Sequence, residues 1–192
     1  MPGVERARIL NRVADAIRLS PILDPEHAAA RWRNGLVTVS VRMEEILRQA
    51  LRISEESKTA LLVGAAGSGK TMLAQTIHGA GPRAGRPMLT VSCTDFPESD
   101  LEEMLSPGNP DGVFAQAAGG LLYLQDISAL SPVGQARLYS VLFAQLQASD
   151  PLHRLNLMSG QDGVPDVQVI ASSPRPLDAA VAEGMLRSDL FY

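Results

Sequence analysis

The sequence is poor in cysteine and lysine, and each shortage excludes a class of protein. One cysteine in 192 residues, Cys93, excludes an internal disulfide framework and any multi-cysteine metal site, and it is typical of a reducing, cytoplasmic compartment. The 17 basic residues include only two lysines, Lys58 and Lys70, and the net charge of −4 excludes a chain-wide clamp for nucleic acid. No apolar run approaches the roughly 20 residues of a membrane-spanning helix, so we expect no membrane partner.

What is present is the composition of a globular protein, with 45% hydrophobic and 20% charged residues. Four short apolar runs predict strands at 60–63, 88–91, 121–124 and 167–171, with helices at 42–53, 70–79, 98–105 and 131–147. Uninterrupted apolar strands that alternate with helices are typical of a parallel sheet covered on both faces. We therefore predict an α/β domain over residues 35–192. Residues 1–34 are predicted to form a separate helical segment, with helices at 4–19 and 28–32.

One motif in the α/β region carries a specific chemistry. Residues 64–71, GAAGSGKT, match the phosphate-binding pattern G-x-x-x-x-G-K-[ST], between a predicted strand and a predicted helix. Glycines allow successive backbone N–H groups to face phosphate oxygens at a helix N-terminus, while the lysine bridges the β- and γ-phosphates and the threonine hydroxyl ligates Mg²⁺. We predict that ATP or ADP is bound by Gly64, Ala65, Ala66, Gly67, Ser68, Gly69, Lys70, Thr71 and Met72, with Thr71 on the metal.

A second motif departs from what a P-loop ATPase needs. Such enzymes end a later strand in two acids, of which the first holds Mg²⁺ and the second activates the attacking water. Here residues 119–127 read GGLLYLQDI, so the pair is Gln125 and Asp126. Gln125 is neutral, and Asp126 can serve either as a metal ligand in a shifted register or as a shortened general base, but not as both. A misplacement of 1 Å can cost about 10²-fold in rate, so we expect nucleotide binding to survive better than hydrolysis.

Taken together, the segments resemble the AAA+ domain of sigma-54-dependent transcription activators, the bacterial enhancer-binding proteins. The resemblance is collinear from residue 35 to 192. Besides the P-loop, it rests on 39–43 before the first helix, 86–93, 114–124 entering the second motif, 127–135, 166–173 and 186–192. It implies a P-loop NTPase fold, and it implies catalytic roles for Asp126, for Ser173 at the sensor I position and for Arg187 as an arginine finger.

The same resemblance shows what is missing. Active members carry a GAFTGA loop that contacts sigma-54, whereas residues 106–114 here read SPGNPDGVF, so we do not expect this chain to remodel sigma-54. The sequence ends before a helical lid, before the second arginine of the finger segment and before any DNA-binding helix-turn-helix. We therefore expect no direct contact with DNA, and self-association as a ring or dimer is the partner interaction that the family implies.

Three interpretations remain open from the sequence. The first is a regulatory nucleotide-binding module of a transcription regulator, with weak or no hydrolysis. The second is a working ATPase domain, part of a longer activator, in which Asp126 and Arg187 act within an oligomer. The third is an interaction protein without enzymatic activity, whose P-loop is a relic.

Overall fold

A computed structural model describes residues 36, 38–149, 166–184 and 186–188, and the helices predicted within 1–34 lie outside these residues. Its elements run in chain order along an alternating α/β pattern. They are α1 (Val41–Glu55), β1 (Ala60–Val63), α2 (Lys70–Ala80), β2 (Met88–Ser92), α3 (Glu98–Met104), α4 (Val113–Gln116), β3 (Leu121–Gln125), a 3₁₀ turn (Ile127–Ala129), α5 (Pro132–Ser149), β4 (Gln168–Ser173) and α6 (Leu177–Ala182).

The four strands form one parallel sheet in the order β1-β4-β3-β2. All four predicted strands and all four predicted helices of the α/β region are confirmed, with bounds that differ by a few residues. The sequence did not predict the short elements α4, α6 and the 3₁₀ turn, because three to six residues are too few to show a helical period. In the described part of the chain, no helix is both long and apolar enough to span a bilayer.

The central strand β3 divides its side chains between two separate cores. Leu121 and Tyr123 face one side, where they pack with residues of α1 and α2 such as Ala50 and Ile77. Leu122 and Leu124 face the other side and pack with the helices that follow β2. Alternation with a period of two residues places neighbours on opposite faces, so a strand that is apolar throughout requires a cover on each side. This explains why the apolar runs of the sequence are continuous.

A close backbone approach fixes β3 against the start of β2. A Cβ atom added to Gly120 would lie 2.0 Å from the carbonyl oxygen of Pro87, which is backbone and cannot turn aside. That same carbonyl accepts the N–H of Leu121 at 2.9 Å. Glycine is therefore required at position 120 because the two backbone segments approach closely there, and not because the backbone needs flexibility.

The parallel arrangement brings the carboxyl ends of the strands to one edge of the sheet, where open α/β folds bind their ligands. Residues 64–71 follow β1, Gln125 ends β3, and Ser173 ends β4. The N–H of Gly64 donates to the carbonyl oxygen of Ser173 at 3.2 Å, so the loop begins directly beside β4. The predicted site residues on these three strands thus share one edge.

Candidate nucleotide-binding site

The loop 64–71 has the backbone that its glycines predict. Gly67 and Gly69 have φ angles of 76° and 89°, in the left-handed region that side chains with a Cβ avoid. Gly69 is the N-cap of α2, and its carbonyl oxygen accepts the first helical bond, from the N–H of Leu73 at 2.9 Å. Residues 65–69 are exposed to solvent. Exposed N–H groups at the start of an eleven-residue helix form an environment that favours an anion.

Lys70 closes the loop on itself. Its Nζ donates to the carbonyl oxygen of Gly64 at 2.7 Å and to that of Ala65 at 2.8 Å. These two bonds use two of the three N–H donors of the ammonium group and hold the loop curled around it. A phosphate group that replaced the carbonyls would meet the same ammonium at the centre of the loop.

An apolar cleft of about 420 Å³ adjoins the loop. Its walls come from α1, β1 and α2, and its mouth reaches Gly64, Ser68 and Lys70. Met43 lies in this wall, and Ser40, three residues earlier, caps α1 by accepting the N–H of Met43 at 3.4 Å. The segment 39–43 that carried part of the family resemblance therefore both starts the helix and lines the cleft. An apolar cavity beside a phosphate loop has the chemistry to hold an aromatic base.

Gln125 contacts the loop directly. Its Nε2 donates to Oγ1 of Thr71 at 3.0 Å, and this bond joins two residues that are 54 positions apart in sequence. The first position of the altered acidic pair therefore meets the residue predicted to ligate Mg²⁺. The carbonyl of Gln125 also anchors the neighbouring strand, because it accepts the N–H of Cys93 at 2.9 Å.

The carboxylate of Asp126 accepts a hydrogen bond from a nearby residue of its own turn. Its φ of 55° lies in the left-handed region, and its Oδ1 accepts from the hydroxyl of Ser128 at 2.5 Å. Burial raises the pKa of the Cys93 thiol to about 12, and the negative charge of Asp126 adds to this shift. Cys93 is therefore a buried, neutral thiol whose pKa depends in part on the charge of Asp126.

The donor set around Thr71 does not fit Mg²⁺ as it stands. This ion prefers carboxylate and phosphate oxygens in near-octahedral geometry. The Thr71 oxygen accepts an amide N–H, and the Asp126 carboxylate accepts a hydroxyl. Within the described residues, no three His, Cys, Asp or Glu side chains come together as a metal-binding group. The assignment of Thr71 and Asp126 as metal ligands stays a prediction.

Ser173 lies beside the loop, but its hydroxyl is used locally. The side chain is fully buried; its Oγ donates to the carbonyl oxygen of Arg175 at 2.9 Å and accepts the N–H of the same residue at 3.2 Å. Pro174 lies between the two and supports this tight turn. Both hydrogen-bonding capacities are thus committed to the backbone of the turn, and the catalytic role of Ser173 stays a prediction.

Arg187 is exposed, and its backbone is held by Gln135. The N–H of Arg187 donates to Oε1 of Gln135 at 2.9 Å, while Nε2 of Gln135 donates to the carbonyl oxygen of Leu130 at 2.9 Å. The guanidinium Cζ lies 6.0 Å from the centre of the Tyr139 ring, within the range of a cation–π contact. Gln135 therefore ties the predicted arginine-finger segment to the chain that follows Asp126. Its position in the sequence gave no sign of this role.

The connection at 106–112, predicted to stand in place of the sigma-54-contacting loop, is compact. Between α3 and α4 the chain folds into successive turns, in which Asn109 and Gly112 donate their N–H groups to the carbonyls of Ser106 and Asn109 at 3.1 and 3.0 Å. The Asn109 side chain accepts the N–H of Asp111 at 2.9 Å and donates to the carbonyl of Glu103 at 3.2 Å. Asparagine, proline and glycine supply the turn geometry here.

Comparisons with known proteins agree with the fold. The Sigma-54 interaction domain family matches residues 36–192. The transcriptional regulatory protein GlrR of Escherichia coli is 32% identical over 199 residues, a match that covers 98% of this chain and 42% of GlrR. The chain therefore spans less than half the length of this relative.

Two solved structures extend the likeness to three dimensions. NtrX from Brucella abortus in complex with ADP superposes with a TM-score of 0.65 at 27% identity, over 96% of this chain and 42% of that chain. The P-loop NTPase domain of a sigma-54 activator from E. coli superposes with a TM-score of 0.56 at 19% identity, over 81% and 91% of the two chains, which shows the shared fold. With the P-loop, the parallel sheet and the family match in agreement, this chain belongs to the Sigma-54 interaction domain family, the AAA+ P-loop domain of transcriptional regulators of the sigma-54 activator type.

Proposed function

We propose that the chain is a nucleotide-binding regulatory module that holds ATP or ADP and hydrolyses ATP weakly or not at all. The observation that carries this proposal is the contrast at one edge of the sheet. The loop 64–71 has its glycines, its lysine and its helix N-terminus in place, whereas β3 ends in an amide at Gln125. Phosphate binding needs only the loop, but water attack needs a charged pair in a strict geometry.

In the proposed complex, the phosphates lie on the N–H groups of residues 65–70, and the base enters the apolar cleft. Lys70 exchanges the carbonyls of Gly64 and Ala65 for phosphate oxygens. Met43 and Ile46 of α1 and Leu73 of α2 offer the base an apolar wall. The structure of NtrX with ADP supports this choice of ligand, because that protein shares the fold at 27% identity.

A working ATPase in an oligomer is the second candidate, and the exposed Arg187 favours it. The residue is exposed while its backbone is fixed by Gln135, an arrangement that suits a side chain acting on a neighbouring subunit. In this alternative, Asp126 would serve as the general base, and Thr71 would be the residue that holds Mg²⁺. The compact connection at 106–114 speaks against a contact with sigma-54 in either case.

Nucleotide titration combined with phosphate release separates the candidates. A fluorescent ATP analogue should bind the wild type, while phosphate release should stay at the level of Lys70→Ala over a wide range of protein concentration. Release that rises steeply with protein concentration would establish the oligomeric ATPase instead. If no nucleotide binds, both candidates fail. The remaining interpretation is then an interaction protein whose P-loop is a relic. A gain of turnover in Gln125→Asp would locate the defect at residue 125.

A further inference from the structure

The contact between Gln125 and Thr71 lies where a nucleotide-bound metal ion would approach the predicted site. We propose that Gln125 removes the dependence of the site on a metal ion, so that nucleotide binds with similar affinity with and without Mg²⁺. This inference rests on the proposed nucleotide site and deepens it. It concerns the charge state of the ligand rather than the rate of any reaction.

The first step is the occupation of the threonine oxygen. Nε2 of Gln125 donates to Oγ1 of Thr71 at 3.0 Å, so a partly positive amide hydrogen lies where a cation would approach. If the amide were turned over, Oε1 would accept the threonine hydroxyl, but the group would remain neutral. In neither orientation does residue 125 supply the carboxylate with which Mg²⁺ is usually held in such sites.

The second step is the charge that faces a metal-free phosphate chain. Without Mg²⁺ the phosphates keep their full negative charge, and the loop opposes it with Lys70 and with the N–H groups at the start of α2. A carboxylate at position 125 would repel those phosphates unless a metal ion lay between them. A glutamine at position 125 carries no charge. It therefore neither repels the phosphates nor requires a metal ion between them and residue 125.

The third step is that the adjacent acid, Asp126, is engaged elsewhere. Its carboxylate accepts from the hydroxyl of Ser128 at 2.5 Å, and its backbone is in the left-handed region. The carboxylate that the sequence offers as a substitute is thus held by the turn that follows β3. The neutral character of the site depends on residue 125.

The test is a titration of the full chain with a fluorescent ADP analogue, in buffer with excess Mg²⁺ and in buffer with excess EDTA. For the wild type, the two dissociation constants should agree within about threefold. Gln125→Asp should reverse this pattern and bind at least about tenfold more weakly in EDTA than in Mg²⁺. Gln125→Asn is the matched control, since it has the length of Asp without the charge, and its dissociation constants in Mg²⁺ and in EDTA should agree with each other within about threefold.

The outcomes separate the inference from the proposed function. Wild-type affinity that is about tenfold higher in Mg²⁺ than in EDTA overturns the inference and leaves nucleotide binding intact. Absence of binding in both buffers overturns both.

A measurement on the wild type alone covers the case in which Gln125→Asp does not fold. Mn²⁺, followed by its paramagnetic resonance, should bind the protein–ADP complex no more tightly than it binds free ADP. Binding to the complex that is about tenfold tighter than to free ADP would contradict the proposal.

Discussion

The loop 64–71 and the end of β3 lie at the same edge of one sheet, yet they differ in how much of their chemistry they retain. The loop keeps its left-handed glycines and its central lysine. The end of β3 contacts Thr71 through the amide of Gln125, at the position where the sequence of a P-loop ATPase is expected to carry an acid. We therefore expect phosphate binding and water activation to depend on different segments of this fold.

The largest expected effect lies in the intact region. Lys70→Ala should weaken nucleotide binding about a hundredfold, because it removes charge-assisted hydrogen bonds to the phosphates. Lys58→Ala is the matched control. Lys58 is the other lysine of the chain, is exposed and pairs with Glu56. Equal losses in the two variants would show that the loop does not set the affinity.

The comparison of the two regions assumes that β3 is held firmly at its place in the sheet. The next prediction tests that packing. Gly120→Ala should lower the free energy of unfolding by about 2 kcal/mol, because the added methyl group meets the backbone of Pro87. Denaturant unfolding measures this, with Gly79→Ala as the control, since a Cβ there meets nothing within 4 Å. A neutral Gly120→Ala variant would show that the strand is loosely held.

A pH series tests the buried thiol beside the altered strand end. The folded state keeps the Cys93 proton up to a pKa of about 12, whereas the unfolded chain loses it near 9.0. Stability from this group is complete below pH 9.0 and falls as the pH rises toward 12, at about 1.4 kcal/mol per pH unit. Cys93→Ala should lack this part of the alkaline decline in thermal unfolding. Identical pH profiles for the two proteins would contradict the assigned burial.

The smallest effect is electrostatic. Asp126→Asn should lower the pKa of the Cys93 thiol, because it removes the nearby negative charge, but burial is the larger cause and remains. Alkylation of this single cysteine should therefore become only modestly faster, and Asn also tolerates the left-handed backbone of position 126. Ser128→Ala is the control that removes the hydroxyl and keeps the charge, so its alkylation rate should stay near that of the wild type.

How far the sequence alone could predict the molecule depends on the range of the interactions. The P-loop and the four strands follow from local patterns, and their positions are confirmed within a few residues. The bond from Gln125 to Thr71 depends on how β3 and α2 are placed in space, and no local pattern contains that placement. The same limit applies to Gln135, which meets Arg187 across 52 positions.

Substitutions that were visible in the sequence acquire a physical reason only in the structure. Pro174, next to Ser173, can be read directly from the sequence, but the turn that engages the Ser173 hydroxyl cannot. Likewise, the paired glycines before β3 were part of the family resemblance, and the approach of Pro87 explains the second of them. The family patterns thus show where these residues lie in the sequence, and the packing in the structure gives the physical reason for them.

The two bonds from Lys70 to its own loop also have a kinetic consequence. Because the ammonium already holds the carbonyls of Gly64 and Ala65, the chain does not have to fold a loop when a nucleotide arrives. Entry becomes an exchange of hydrogen-bond partners, which is fast compared with loop ordering. Affinity should therefore vary among ligands mainly through how slowly each one leaves.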